Sequence, residues 1–235
     1  MQHDESCVQE IRITRVSFVE SISVKRKLPF IIIGAVLVLA LAGAEWFYRS
    51  RTPKIVLTTK AGAPGAQPPQ VVGANQPRVT IEEFGDFQCP PCGKLHPVLK
   101  KAEEDYPSLV AIVFREFPMT QLHANALEAA RAAEAAGVQG AFWPMHDFMY
   151  DTQEMWSNWR DVRSVFARQA TIMGFDPKKL RNDMDSAEVQ QRIAADQQRG
   201  QSLGVIGTPT VFLNGRMVAP EELEHLRELI DAALK

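Results

Sequence analysis

The sequence predicts an α/β fold that carries an inserted block of helices. Three observations predict this class: a strand–helix–strand pattern begins near residue 78, a long helical stretch follows it, and a hairpin with a last amphipathic helix closes the chain. Of the 235 residues, 46% are hydrophobic and 23% are charged, as in globular proteins. The net charge of −2 and the scattered basic residues argue against a nucleic-acid-binding surface.

An apolar segment precedes the α/β part. No charged residue occurs from Leu28 to Ala44, and an aromatic trio follows at 46–48, as at a membrane interface. We therefore predict a cytoplasmic segment over 1–27 and a single transmembrane helix over 28–48. A signal peptide cleaved near Ala44 is the alternative, because the residues before that position resemble a cleavage site.

Residues 49–77 predict a flexible linker to a folded domain over 78–235. The part from Lys60 to Pro77 is rich in proline, glycine, alanine and glutamine, and it has no helical or strand periodicity. The basic cluster Lys25-Arg26-Lys27 predicts a cytoplasmic N-terminus, so the domain would be periplasmic or extracellular. The alternative is secretion after cleavage.

The domain opens with a strand–helix–strand unit. Val79–Phe84 predicts a strand, and 90–106 carries an apolar stripe at helical spacing, with Pro97 inside it as an expected kink. Val110–Phe114 is apolar throughout, which is typical of a buried parallel strand.

The pattern from about 121 to 204 is helical, and a hairpin follows. Asn214-Gly215 predicts a tight turn between two short strands, and an amphipathic helix ends the chain. The predicted elements are helices near 124–136, 142–150, 158–173, 177–185 and 187–203, strands at 210–213 and 216–218, and a last helix at 221–234.

Two of the three cysteines stand one helical turn apart, in Cys89-Pro90-Pro91-Cys92. The run lies between the first strand and the first helix, where unpaired backbone N–H groups and the helix dipole favour an anionic sulfur. Cys89, at the solvent-facing start of the helix, is therefore the candidate nucleophile, and Cys92 is the candidate resolving thiol on the same helix face. Cys7 falls in the predicted cytoplasmic segment and takes no part.

The two prolines matter through the donors that they lack. Pro90 and Pro91 have no N–H to offer a thiolate, whereas Cys92 and Gly93 keep theirs. We therefore predict a milder lowering of the Cys89 pKa than in a site whose intervening residues both donate, and a more reducing couple. Both prolines also suit the first turn of a helix.

Glu83 is the candidate acid–base group. It shares a strand face with Val79 and Ile81, so it is expected to lie buried beneath the cysteines, with a raised pKa and a proton to exchange with Cys92. A solvent-exposed carboxylate at the strand end is the alternative.

His96 follows Cys92 by four residues and shares its helix face. It is a candidate group behind the cysteines or a third metal ligand, although packing is the simpler interpretation. The spacing of the cysteines also fits half of a zinc site, but no second such motif supplies further ligands, and no metal is expected.

These motifs together resemble the thioredoxin superfamily, in its DsbA-like branch. The segment 83–92 resembles the family's active-site strand and turn, and Gly207-Thr208-Pro209-Thr210 resembles its cis-proline loop. Segments at 115–118, 123–126 and 139–143 fit the members that carry a helical insertion. The resemblance covers 78–235 and implies a thioredoxin-like fold with an inserted helical subdomain.

The resemblance implies a protein disulfide oxidoreductase that acts on cysteine-containing proteins outside the cytoplasm. It needs no cofactor beyond the redox-active disulfide of Cys89 and Cys92, and it passes electrons to a membrane or soluble redox partner. The bond before Pro209 is implied to be cis, with Thr208 bordering the nucleophile and the backbone there pairing with an extended substrate. An acid at the offset of Glu83 also occurs in the resembling enzymes.

The dipeptide between the cysteines departs from the family's familiar pairs. The strongest oxidase of the branch has proline-histidine there, and thioredoxin has glycine-proline, so oxidase, reductase and isomerase remain open. The alternative function is a metal-binding or metallochaperone module that uses Cys89, Cys92 and His96.

Overall fold

The computed structural model describes residues 62–235 and, before them, only Gly43. The residues from 62 onward belong to one compact unit. The predicted cytoplasmic segment, all of the predicted anchor but Gly43, and the first part of the predicted linker lie outside the described residues. Across the described positions, no helix has both the length and the apolar character needed to span a bilayer.

A mixed sheet of five strands forms the centre of the described domain. Its strands are β1 Gln70–Gly73, β2 Val79–Gly85, β3 Val110–Glu116, β4 Thr210–Leu213 and β5 Arg216–Val218. They lie in the order β1-β3-β2-β4-β5, with β2 and β3 parallel and the other neighbouring pairs antiparallel. The predicted parallel pair and the hairpin are thus confirmed.

Helix α1, Pro90–Asp105, makes the crossover between the parallel strands. Pro90 and Pro91 occupy its first turn, and Cys89 is its N-cap residue. Leu95 and Leu99 of α1 pack on one face of the sheet. The helix continues through Pro97.

The inserted block consists of α2 Ala126–Val138, α3 Phe142–Asp151, α4 Gln153–Trp156, α5 Val162–Ile172, α6 Pro177–Asp183 and α7 Ala187–Ser202. In the core of this block, buried alanines of α2 pack with Trp156 and Phe166. Both cysteines of the motif belong to the same hydrophobic cluster. The short helix α4 has no counterpart among the predicted elements.

The C-terminal segment differs from the single helix that was predicted over 221–234. Residues Pro220–His225 form a 3₁₀ helix, and helix α8 covers only Leu226–Ala233. Glu222 accepts a hydrogen bond from the N–H of Ala219 at 2.9 Å, which closes a tight first turn. Leu226 and Ile230 still bury the apolar face that the pattern predicted.

The predicted linker is wrong over its described part, residues 62–77. Ala66 is buried, and β1 pairs with β3 along the sheet edge. Asp196 of α7 accepts a hydrogen bond from the N–H of Ala66 at 2.7 Å, and Arg199 donates to the carbonyl oxygen of Ala63 at 2.8 Å. The folded domain therefore begins well before residue 78, because partners from the far end of the chain hold this segment.

A buried ion cluster lies beneath that segment. Glu82 accepts hydrogen bonds from Arg115 at 2.8 Å and from Arg199 at 2.7 Å, and Arg115 also donates to Asp196 at 2.9 Å. Glu82 thus lies on the face of the sheet opposite Glu83, because neighbouring residues of a strand point to opposite faces.

Candidate active site

Cys89 lies where the start of α1 meets the loop before β4. In the thiol form its Sγ donates a hydrogen bond to the carbonyl oxygen of Thr208 at 3.3 Å, and the Thr208–Pro209 bond is cis, as the resemblance implied. The sequence predicted a solvent-facing sulfur, but the residue is only 5% exposed. The loop that contains Thr208 is the immediate neighbour of this buried sulfur.

The surroundings of Cys89 lower the pKa of its thiol to about 6. The hydrogen bond with the Cys92 thiol contributes most, and hydrogen bonds with the Thr208 side chain and the Cys92 N–H add to it, while burial and the Asp86 charge oppose it. The N–H of Gly93 instead donates to the carbonyl oxygen of Cys89 at 3.2 Å. Of the two backbone donors expected at the sulfur, one is therefore used within the helix.

Cys92 is fully buried beside Cys89. Burial raises the pKa of its thiol, and the hydrogen bond to Cys89 and the charge of Glu83 raise it further. Cys92 therefore keeps its proton at neutral pH and donates it to the neighbouring sulfur. The pair combines an ionised outer sulfur with a protonated inner one.

Glu83 lies in the sheet next to this pair and is 2% exposed. It is paired in register with Phe114 of β3 and Val211 of β4, so neighbouring strands enclose it. Burial raises the pKa of its carboxyl to about 8, and the charge of Cys89 adds to the effect. A carboxyl in this state can give or take a proton near neutral pH.

His96 is buried on α1 and packs against aromatic rings rather than against the cysteine sulfurs. Its ring stacks on Tyr150 at 5.4 Å between centroids and meets His146 edge-on at 5.3 Å. Burial lowers the pKa of His96. Potential metal-ligating atoms of His96 cluster with those of His146 and Asp147, within 4.8 Å of one another, and neither cysteine belongs to that group.

Two polar residues that sequence reasoning did not assign to the site shape the turn before Cys89. Buried Asp86 accepts from the N–H of Gln88 at 2.8 Å, and its other oxygen lies 2.7 Å from Nδ1 of His123. Gln153 of α4 donates to the carbonyl oxygens of Phe87 at 2.7 Å and Cys89 at 2.9 Å. No sequence signal marks Gln153 as part of the site.

Two surface depressions flank the site on the inserted helices. One, of about 630 Å³, lies beside Pro90 and Gly93. The other, of about 200 Å³, is apolar and is bordered by the exposed side chains of Met155, Trp159 and Ile172. Apolar side chains of the insertion are thus exposed at the surface near the site.

A family model described as thioredoxin matches residues 66–232. Among curated relatives, the Na(+)/H(+) antiporter NhaA 3 of Salinispora tropica is 38% identical over 147 residues, which are 62% of this chain and 22% of the antiporter. The chain therefore spans only about a fifth of the length of the antiporters that it matches. The aligned share of the antiporter is 22% in each of the first four.

A probable disulfide bond formation protein D of Bacillus anthracis is 29% identical over 173 residues, with 71% of this chain and 78% of that protein aligned. Among solved structures, a thioredoxin-like oxidoreductase from Silicibacter pomeroyi DSS-3 has a TM-score of 0.61 and 30% identity. That match covers 70% of this chain and 91% of the other.

Proposed function

Because the chain belongs to the thioredoxin family, in its branch of DsbA-like thiol-disulfide oxidoreductases, we propose that its cysteine pair exchanges disulfides with cysteine-containing proteins outside the cytoplasm. One observation carries the proposal. The sulfur of Cys89, whose pKa is lowered to about 6, lies 3.3 Å from the carbonyl oxygen of Thr208, directly before Pro209. A nucleophile therefore adjoins a backbone segment that an extended peptide can pair with.

The exchange proceeds in two displacements. In the reducing direction, the Cys89 thiolate attacks a substrate disulfide, forms a mixed disulfide and releases one substrate thiolate. Cys92 then gives its proton to Glu83 and attacks Cys89, which closes the internal disulfide and releases the second substrate sulfur. Two electrons pass from the cysteine pair to the substrate, and the reverse sequence oxidises a substrate dithiol.

Glu83 is more readily deprotonated at the step that needs a base. Burial is the main cause of its raised pKa, and the negative charge of Cys89 is the second. The mixed disulfide removes that charge, so the pKa of Glu83 falls just when Cys92 must be deprotonated. When the thiolate returns, the carboxyl takes up a proton again.

The redox poise is intermediate. A Cys89 pKa of about 6 lies between the roughly 3.5 of the strongest oxidase of the branch and the roughly 7 of thioredoxin. The more a thiolate is stabilised, the more oxidising its disulfide is. The missing donors at Pro90 and Pro91 support a site that is less oxidising than the strongest member.

The proposed location is the periplasm or cell exterior. The chemistry supports it, because catalytic disulfides of this kind persist where thiols are not kept reduced. The apolar segment 28–48 supports an anchor there, and a membrane or soluble redox partner would renew the cysteine pair. Labelling of Cys89 in intact cells with a membrane-impermeant maleimide tests the location, and N-terminal sequencing separates an anchor from a signal cleaved near Ala44.

Activity assays on variants test the function itself. We expect Cys89→Ser to abolish reduction of insulin and oxidation of a reduced dithiol protein, while Cys92→Ser accumulates a mixed disulfide at Cys89. Cys7→Ser is the matched control and should keep full activity. Full activity of Cys89→Ser would overturn the proposal.

A further inference from the structure

A small cavity of about 50 Å³ connects Glu83 with the edge of the domain. Its wall passes from buried Glu83, beside His96 and His146, to Lys100 and Asp147, which are 43% and 36% exposed. A water molecule takes up about 30 Å³ in the liquid, so this space suits one or two waters. The wall is lined mainly by α1 and α3.

Two polar atoms of residues in this wall, Oε1 of Glu83 and Nε2 of His146, have no hydrogen-bond partner among the described residues, and Nε2 of His96 has only the Asp151 carboxylate, at 3.4 Å. Buried polar atoms in proteins are nearly always satisfied, by protein groups or by ordered water. Water in the shared cavity would satisfy these atoms and join the carboxyl to the imidazoles. The cavity is therefore built for polar contents.

Each imidazole also lies next to a carboxylate that is closer to the surface. Nδ1 of His146 lies 3.0 Å from Oδ1 of Asp147, and Nε2 of His96 lies 3.4 Å from Oδ1 of Asp151. A neutral imidazole can accept a proton on one nitrogen and release one from the other. His146 has this arrangement in full, with Nε2 unpaired and Nδ1 next to a half-exposed acid.

We propose that His146, assisted by His96, carries the proton of Glu83 to the surface during the second displacement, an inference that rests on the proposed function. Cys92 gives its proton to Glu83 and its electron pair to the new sulfur–sulfur bond, and the substrate sulfur leaves with the electron pair of the old one. Glu83 then passes the proton to cavity water, Nε2 of His146 accepts it, and Nδ1 releases another to Asp147 and solvent. His146 returns to its neutral form.

The charges around His146 favour a relay over a metal. His96, Lys100 and Glu103 face the region from α1, Glu83 faces it from β2, and Asp147, Tyr150 and Asp151 come from α3. The ammonium of Lys100 lies 2.9 Å from Asp147, where it would repel a bound cation. Burial lowers the pKa of His146 to about 4, which keeps the ring neutral between proton transfers.

Ellman's reagent separates the two displacements in the full-length protein with Cys7→Ser. Attack by Cys89 releases one thionitrobenzoate, and attack by Cys92 on the resulting mixed disulfide releases a second. We expect His146→Gln and His146→Phe to slow the second release at least about fivefold near neutral pH and to change its pH profile. The first release and the equilibrium with glutathione should stay within about twofold of the parent.

Two further variants keep the test decisive if substitutions at the buried ring disturb folding. Asp147→Asn changes a half-exposed residue and should slow the second release by several-fold. His225→Gln is the matched control, since this histidine is 63% exposed, and it should change nothing. An unchanged second release in folded His146 and Asp147 variants from about pH 6 to about pH 9 would overturn the relay and leave the proposed function standing.

A slow first release in the parent protein would instead count against the proposed function, and with it the relay. Zinc titration of the oxidised protein provides a third check, because both cysteine sulfurs are then occupied. Tight one-to-one binding that His146→Gln abolishes would overturn the relay in favour of a metal site. We expect no tight binding there.

Discussion

Glu83→Gln should remove a pH-dependent loss of stability from the folded, reduced protein. The variant replaces a buried carboxyl with a neutral amide of similar shape. In the folded chain the pKa of Glu83 is raised from 4.5 to about 8. The unfolded chain therefore releases this proton at a much lower pH than the folded chain does, and stability falls as the pH rises between those values.

The sign and size follow from the two pKa values. Because the folded pKa is the higher one, the contribution of Glu83 to stability is fully present below 4.5 and is lost as the pH rises toward about 8. Each pH unit in that window lowers the free energy of unfolding by roughly 1.4 kcal/mol. The loss between about pH 5 and about pH 7.5 is therefore about 3 kcal/mol. The glutamine has no such loss.

Urea unfolding of reduced parent and variant across that pH range gives the difference in free energy of unfolding. We expect the parent to lose about 3 kcal/mol relative to Glu83→Gln on going from about pH 5 to about pH 7.5. Other buried acids cancel in this difference. Glu104→Gln, at an exposed position of α1, is the matched control and should show no trend. The dependence should weaken in the oxidised protein, where Cys89 carries no charge.

A difference that stays constant within about 1 kcal/mol over this range would refute the reasoning. It would mean that Glu83 ionises in the folded protein as readily as in the unfolded chain. The carboxyl would then be unable to hold the proton of Cys92 near neutral pH.

Three further outcomes follow from the same structure. The Cys89–Cys92 couple should have a reduction potential of about −190 to −240 mV against glutathione, since a pKa of about 6 is worth roughly 30 mV per unit relative to the two reference enzymes, and a value near −120 mV would contradict it. Thr208→Val should raise the pKa of Cys89, because it removes a hydrogen bond from the thiolate, and an unchanged alkylation midpoint would count against that contact. Glu82→Gln should lower the free energy of unfolding by about 3–5 kcal/mol, because it leaves two buried arginines without their shared carboxylate, and should expose residues 62–69 to limited proteolysis; a loss below about 1 kcal/mol would show that the cluster is dispensable.

Local patterns predicted most of the sheet and the first helix. Strands β2 to β5 carry their own apolar or turn signals, and both prolines mark the start of α1. Strand β1 was missed because it is a four-residue edge strand in a proline- and glycine-rich context. Its neighbouring segment is held by Asp196 and Arg199, more than a hundred residues away, and no local pattern encodes such partners.

The same distinction applies to the site. The positions of Cys89, Cys92 and Glu83 follow from one strand and one helix, so motif and face alternation were enough to place them. Gln153 comes from the insertion, and the cavity behind Glu83 exists only because α3 packs against α1 and brings His146 beside His96. Such long-range juxtapositions leave no periodic trace in the sequence.

The rate of iodoacetamide alkylation of Cys89 against pH, in the reduced Cys7→Ser protein, tests the central claim most directly. Buried Cys92 keeps its proton, so the fast-reacting thiol is Cys89. The rate should reach half its maximum near pH 6, the value to which its surroundings lower the pKa of Cys89. A midpoint near pH 8.5, that of an ordinary thiol, would contradict the account.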